Sequence, residues 1–245
     1  MSESTALPSA RSTVRSQSQF YLYLSLWMWA IAIVGFGPGY VSAWADGTWV
    51  RSLAVHIHAL VYVGWLALFT WQVTLPSRGR VDSHRRLGRV LAAYAILMVA
   101  VGLTVTFSRF ADWLAADGLA AAQANLIHPL SDMLIFPVLF GLAIYYRSSP
   151  AIHQRLMVVA TTMLLVAAVG RMKFLGEHGP PPLLYDLIWL SPIWIAMARD
   201  AVRYRMVHPA YALSGLLLAA VPYRTVLVDT APYREFTTWL ATQLG

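Results

Sequence analysis

The chain has 245 residues, of which 58% are hydrophobic and 12% charged, with a net charge of +7 and no cysteine. One globular core cannot bury that much apolar surface, so lipid must act as part of the solvent. The charge comes from 17 arginines and one lysine spread over short loops, a pattern of membrane topology rather than nucleic-acid binding, and the lack of cysteine excludes disulfides, iron–sulfur clusters and thiolate metal sites.

Residues 1–19 are rich in Ser, Thr, Gln and Arg and hold no apolar run. They are expected to form a disordered cytoplasmic arm rather than a secretory signal. Residues 20–222 are expected to form one all-α, polytopic helical bundle of about seven transmembrane segments. These are 20–42, 54–75, 87–107, 129–147, 154–172, 183–203 and 209–222. The runs are too long, and lack the alternation, for a membrane β-barrel. Twelve basic residues on one side against six on the other put the amino terminus inside and the carboxyl terminus outside. Pro38, Pro137 and Pro192 fall within segments, and FGPGY at 36–40 is expected to bend or unwind the end of the first. Residues 109–124 are expected to lie on the outer surface with Phe110, Trp113 and Leu114 toward lipid. The tail 223–245 repeats that pattern, with Phe236, Trp239, Leu240 and Leu244 on one face.

One phrase occurs twice. HRRLGRV begins at His84 and HQRLMVV at His153, and both open an apolar helix that ends in Val-Gly, at Val101-Gly102 and Val169-Gly170. His58 precedes His84 by 26 residues, and His128 precedes His153 by 25. The second and third segments therefore read as a repeat of the fourth and fifth. That repeat puts His58 and His128 at one depth near the outer face, and His84 and His153 at one depth near the inner face. Two imidazoles at matched depth on neighbouring helices suit the two axial positions of a b-type haem. Arg85, Arg86 and Arg155 are then available to the haem propionates.

The paired HxRLG and HxRLM phrases, with FGPGY and the Ser-Asp-Met at 131–133, resemble an uncharacterised family of bacterial multi-pass membrane proteins over most of the chain. That family brings no function with it. More distantly, four histidines on four consecutive helices resemble the two-haem transmembrane cytochromes b that take electrons from ascorbate. That resemblance implies an outer haem on His58 and His128 and an inner haem on His84 and His153. This chain departs from it in two ways: His84 and His153 stand at helix starts, and the spacing within each hairpin is shorter.

Other readings stay open. A His-x-Arg at a helix start also suits lipid phosphates. His56 and His58 point to different faces of one helix, and the repeat selects His58. Asp132 lies one turn after His128, and a carboxylate in a membrane helix needs a cation, a metal or a proton. Arg171 is the expected ion-pair partner. A zinc or non-haem iron site on His58, His128 and Asp132 is the alternative, and would make the protein a membrane metal-dependent hydrolase or oxygenase. Glu177, His178 and Asp186 are expected in a surface loop around EHGPPPLLYD. The lone lysine, Lys173, lies outside the segments, which excludes a retinal pump, and no nucleotide-binding motif or nucleophile elbow is present. The expectation is a haem b redox protein of the bacterial cytoplasmic membrane, exchanging electrons with quinone or another membrane redox protein. A non-catalytic carrier or assembly protein is the third class.

Overall fold

Apolar segments in lipid have no water to pair with their backbone groups, so they form helices that satisfy those groups internally. The computed structural model describes residues 10–48, 53–177 and 179–244, and among these all regular structure is helical. The helices are α1 (Ala10–Ala45), α2 (Leu53–Thr74), α3 (Val81–Tyr145), α4 (Pro150–Met163), α5 (Val166–Val169), α6 (Pro182–Trp189), α7 (Ser191–Tyr204), α8 (Pro209–Ala220) and α9 (Ala231–Leu244). A 3-10 stretch, Val221–Asp229, continues α8. Five helical stretches are long and apolar enough to cross a membrane. Leu60, Ile96, Leu213 and Val202 are among the many large apolar side chains left exposed, a surface suited to lipid.

The 65 residues of α3 would run roughly 100 Å if straight, three times a hydrocarbon core. Gly118 breaks the helix with φ 79° and ψ 178°, a conformation that a side chain would strain. The two limbs then fold back on each other. Gly102 meets Met133, while Phe110, further along, shares a cluster with Ala122 and Leu126.

The stretch Pro150–Val169 is the central column. In it 61% of the apolar window is buried, against 22–33% in the other candidate spans. Around it pack Trp65, whose ring meets those of Phe136 and Phe140 edge-on at 5.4 Å each, and Trp189, which donates to the Thr162 carbonyl at 3.0 Å. α1 crosses α5 at Gly35, where a Cβ would strike the backbone of Ala168.

Several expectations change. Residues 1–9 of the expected arm lie outside the described residues, as do Arg51 and His178, and the chain is already helical from Ala10. α1 runs unbroken through Pro38 to Ala45, so FGPGY does not end it. Pro137 likewise sits inside a continuous limb of α3. The expected sixth segment is two short helices, α6 and α7, meeting at Leu190 with Pro192 in the first turn of the second. The two surface elements also pack on each other, while Phe236, Trp239 and Leu244 of the tail face stay exposed. Phe110 is fully buried with Leu126 and Leu240, and Trp113 and Leu114 pack against them. Gln123 donates to Thr237 at 2.8 Å and accepts, through its carbonyl, from Tyr233 at 2.7 Å. Burial at this joint pushes the Tyr233 hydroxyl up to about 12.

α7 is tied to the central column by one ion pair. Arg155, 4% exposed, donates to both carboxylate oxygens of Asp200, 1% exposed, at 2.8 Å each. Its remaining nitrogen donates to the Ala151 carbonyl at 2.7 Å, and the rings of Tyr204 and Tyr211 lie 5.9 and 5.6 Å from the guanidinium carbon. Removing one partner strands the other charge in a low dielectric. Asp200→Asn is expected to lower stability by about 3 to 5 kcal/mol in equilibrium unfolding from detergent micelles, and Arg155→Met/Asp200→Leu to restore most of it. A loss of no more than about 0.5 kcal/mol in the single variant would contradict this.

Candidate functional site

The two HxRL phrases do the same local job. A helix leaves its last carbonyls without intrahelical partners, and in lipid these must be satisfied by the protein. In the first turn of α3, His84 Nδ1 lies 3.4 Å from the carbonyl of Gln72, in the last turn of α2. Gln72 answers by donating its side-chain amide to the His84 carbonyl at 3.2 Å. In the first turn of α4, His153 Nδ1 lies 2.8 Å from the carbonyl of Ala143, in the last turn of α3. Each histidine therefore staples its helix to the end of the helix before it.

This contact sets the tautomer. A carbonyl only accepts, so each Nδ1 carries the proton and each Nε2 keeps its lone pair. The two rings lie 6.4 Å apart between centroids, with their planes at 83°. Two imidazoles on opposite sides of one metal ion, with bonds of about 2 Å, place their centroids roughly 6 Å apart. The carbonyl bonds are also the usual means of orienting a ligating histidine and raising its basicity.

The basic residues near this pair divide. Arg86 is exposed, as is Arg85, which lies 3.9 Å from Asp82. Arg155 occupies the place in the second phrase that Arg86 occupies in the first, but its donors are committed to Asp200 and Ala151. The expectation that Arg155 serves a propionate is corrected on that ground.

At the other end of the bundle the geometry differs. His58 stacks on Tyr62, with centroids 4.2 Å apart, and its Nδ1 is buried without a hydrogen-bond partner. The Tyr62 hydroxyl donates to the Met98 carbonyl at 3.2 Å. Arg224, from the 3-10 stretch after α8, bridges the next group. It pairs with Asp132 and donates to His128 Nδ1 at 3.2 and 3.3 Å. Asp132 and His128 thus share a face, but their cation is Arg224 and not the expected Arg171, which stacks on Phe36 and donates to the Ala167 carbonyl. A guanidinium only donates, so His128 Nδ1 accepts and its Nε2 carries the proton. That tautomer has no Nε2 lone pair for a metal. No ring contact joins His58 to His128, and among the described residues no three His, Asp or Glu side chains are grouped to hold a metal ion. His56 faces elsewhere, into a cleft of about 340 Å³ with Tyr40, Val41 and Trp44.

Three positioning residues went unread in the sequence. Gln72 is the only amide in the apolar run of α2, and Asp200 the only carboxylate in α7. Polar residues in such runs need partners inside the protein, and that was the available signal. Arg224 gave none, because it stands in the tail beyond the last apolar run.

No family model, curated protein or solved structure matches the chain.

The staple is testable apart from any ligand. His153→Ala leaves the Ala143 carbonyl unmet and is expected to cost about 1 to 2 kcal/mol, whereas His153→Asn, whose amide nitrogen reaches the Nδ1 position, should recover most of it. Equal losses in the two variants, measured by unfolding in detergent, would remove the hydrogen bond from the account.

Proposed function

We propose that this protein is a haem-binding redox protein of the bacterial cytoplasmic membrane, with one b-type haem held between His84 and His153. The observation that carries the reading is the 6.4 Å separation of two imidazoles that each hold Nδ1 on a carbonyl and leave Nε2 free. The donor set favours haem over a bare ion. Zinc sites take three or four protein ligands, whereas a haem iron needs only its two axial positions filled. The described residues offer two imidazoles here and no third ligand in a group. Exposed Arg85 and Arg86 stand in the same turn of α3 for the propionates. When bound, the haem supplies a one-electron couple. The chain's own contribution is to fix both rings, keep their Nε2 atoms unprotonated and bury the site among helix ends.

The reading keeps one haem rather than two, because the Arg224 bonds leave His128 in the tautomer that cannot ligate through Nε2. The same bonds speak against zinc or non-haem iron on His58, His128 and Asp132. With the break at Gly118 counted as a turn between two spans, and α6 with α7 as one interrupted span, the bundle crosses seven times. The arginine balance then puts the His84 end inside. Quinone or a second membrane redox protein exchanges the electron.

A second reading has its own support: the carbonyl bonds alone give both histidines a structural purpose, and the protein is then a carrier or assembly scaffold. Absorption spectra of protein made with ample haem supply separate the two. The haem reading predicts a Soret band that shifts on reduction, lost in His84→Asn and in His153→Asn, which keep the staple, and retained in His128→Asn. A colourless wild type, or a Soret band unchanged in both hairpin variants, leaves the scaffold reading.

A further inference from the structure

We propose a second binding site, independent of the haem reading: a cleft between α1 and the last turns of α7 that seats the phosphate of an anionic phospholipid. The observation that starts the argument is an incomplete arginine. Arg199 stacks its guanidinium 4.3 Å over the Phe20 ring, and its Nη2 is buried with no hydrogen-bond partner. A buried charged donor without an acceptor is costly, and such groups are rare in folded proteins. The neighbouring carboxylate cannot answer it, because both oxygens of Asp200 are held by Arg155. Arg203, one turn on, is exposed and lies 5.9 Å from the Tyr204 ring. Gln17 closes the cleft from α1, donating to the Tyr204 hydroxyl at 3.1 Å. The cleft thus offers two guanidinium groups and no unclaimed acid among its described side chains.

The ligand follows from the surroundings. The exposed arginines of the connections before α3 and after α7 crowd the same end of the bundle as the first turn of α3, and Asp82 in that turn is the one exposed carboxylate among these stretches. This raises the local concentration of any anion. Tyr23, one turn beyond Phe20 in α1, and Ile195, one turn before Arg199 in α7, are 68% and 43% exposed and continue the two helix faces away from the basic end toward lipid. A phosphate on Arg199 and Arg203 with its acyl chains along Tyr23 and Ile195 satisfies both halves of the site. A free phosphate satisfies only the first.

Native mass spectrometry of the full chain in detergent tests this, with phosphatidylglycerol, phosphatidylcholine and inorganic phosphate as probes. Phosphatidylglycerol is expected to bind in preference to phosphatidylcholine. Arg203→Gln, an exposed change with no folding cost, should weaken binding roughly five-fold. Arg199→Met should weaken it at least as much, with circular dichroism reporting that the helices remain. Arg78→Gln, an exposed arginine elsewhere at that end, should bind as wild type. Equal weakening in Arg78→Gln and Arg203→Gln would reduce the site to diffuse charge and overturn the proposal. So would equal binding of the two lipids, or displacement of phosphatidylglycerol by inorganic phosphate at comparable concentration.

Discussion

Lipid offers a helix end nothing to hydrogen-bond, and the arrangement of polar groups in this protein follows from that constraint. Backbone carbonyls released at helix ends and kinks are met by side chains from elsewhere in the chain. His84 and His153 meet Gln72 and Ala143, while Trp189 donates to Thr162, in the last turn of α4, at 3.0 Å. The two histidines are the informative case, because the atom used for the staple determines which atom is left over. One hydrogen bond to a carbonyl closes each hairpin and leaves Nε2 as the uncommitted nitrogen of the ring.

Buried charges obey the same constraint more strictly. Among the described residues one interior Arg–Asp pair stands near each end of the bundle, Arg155–Asp200 and Arg224–Asp132. Each joins a histidine-bearing helix to a flanking element, α4 to α7 in one case and the second limb of α3 to the stretch after α8 in the other. The pairs therefore hold the periphery to the core, where a broken pair would leave a charge in lipid or protein interior. They also give the two ends different chemistry. At one end the arginine turns away from the histidines and leaves their Nε2 atoms available. At the other the arginine donates to the histidine's Nδ1.

Much of this was legible in the sequence where a pattern repeats. The doubled HxRL phrase placed His84 and His153 at one depth, and their rings stand 6.4 Å apart. The apolar runs located the helices, because length and hydropathy are enough to mark a stretch that can cross lipid. What was not legible depends on which of several equivalent residues a fold brings into contact. Arg171 and Arg224 are alike as cations to the eye reading sequence, and only the path of the chain after α8 selects Arg224 for Asp132. Arg155 and Arg86 hold the same place in the repeat, yet only Arg155 faces a helix carrying an acid. Proline lacks a donor, so Pro38 points to a bent or unwound end, yet α1 continues through it to Ala45. The amphipathic face of the tail was visible, while the partner of Leu240 was not: a face of Phe236, Trp239, Leu240 and Leu244 fits a membrane surface and a protein surface equally well on pattern alone.

The account rests on the protonation pattern of three rings, and nitrogen NMR of the protein labelled with 15N-histidine and prepared without haem reads that pattern directly. The account predicts that His84 and His153 carry their proton on Nδ1 at neutral pH and that His128 carries it on Nε2. Nε2 protonation at both His84 and His153, or Nδ1 protonation at His128, would contradict it.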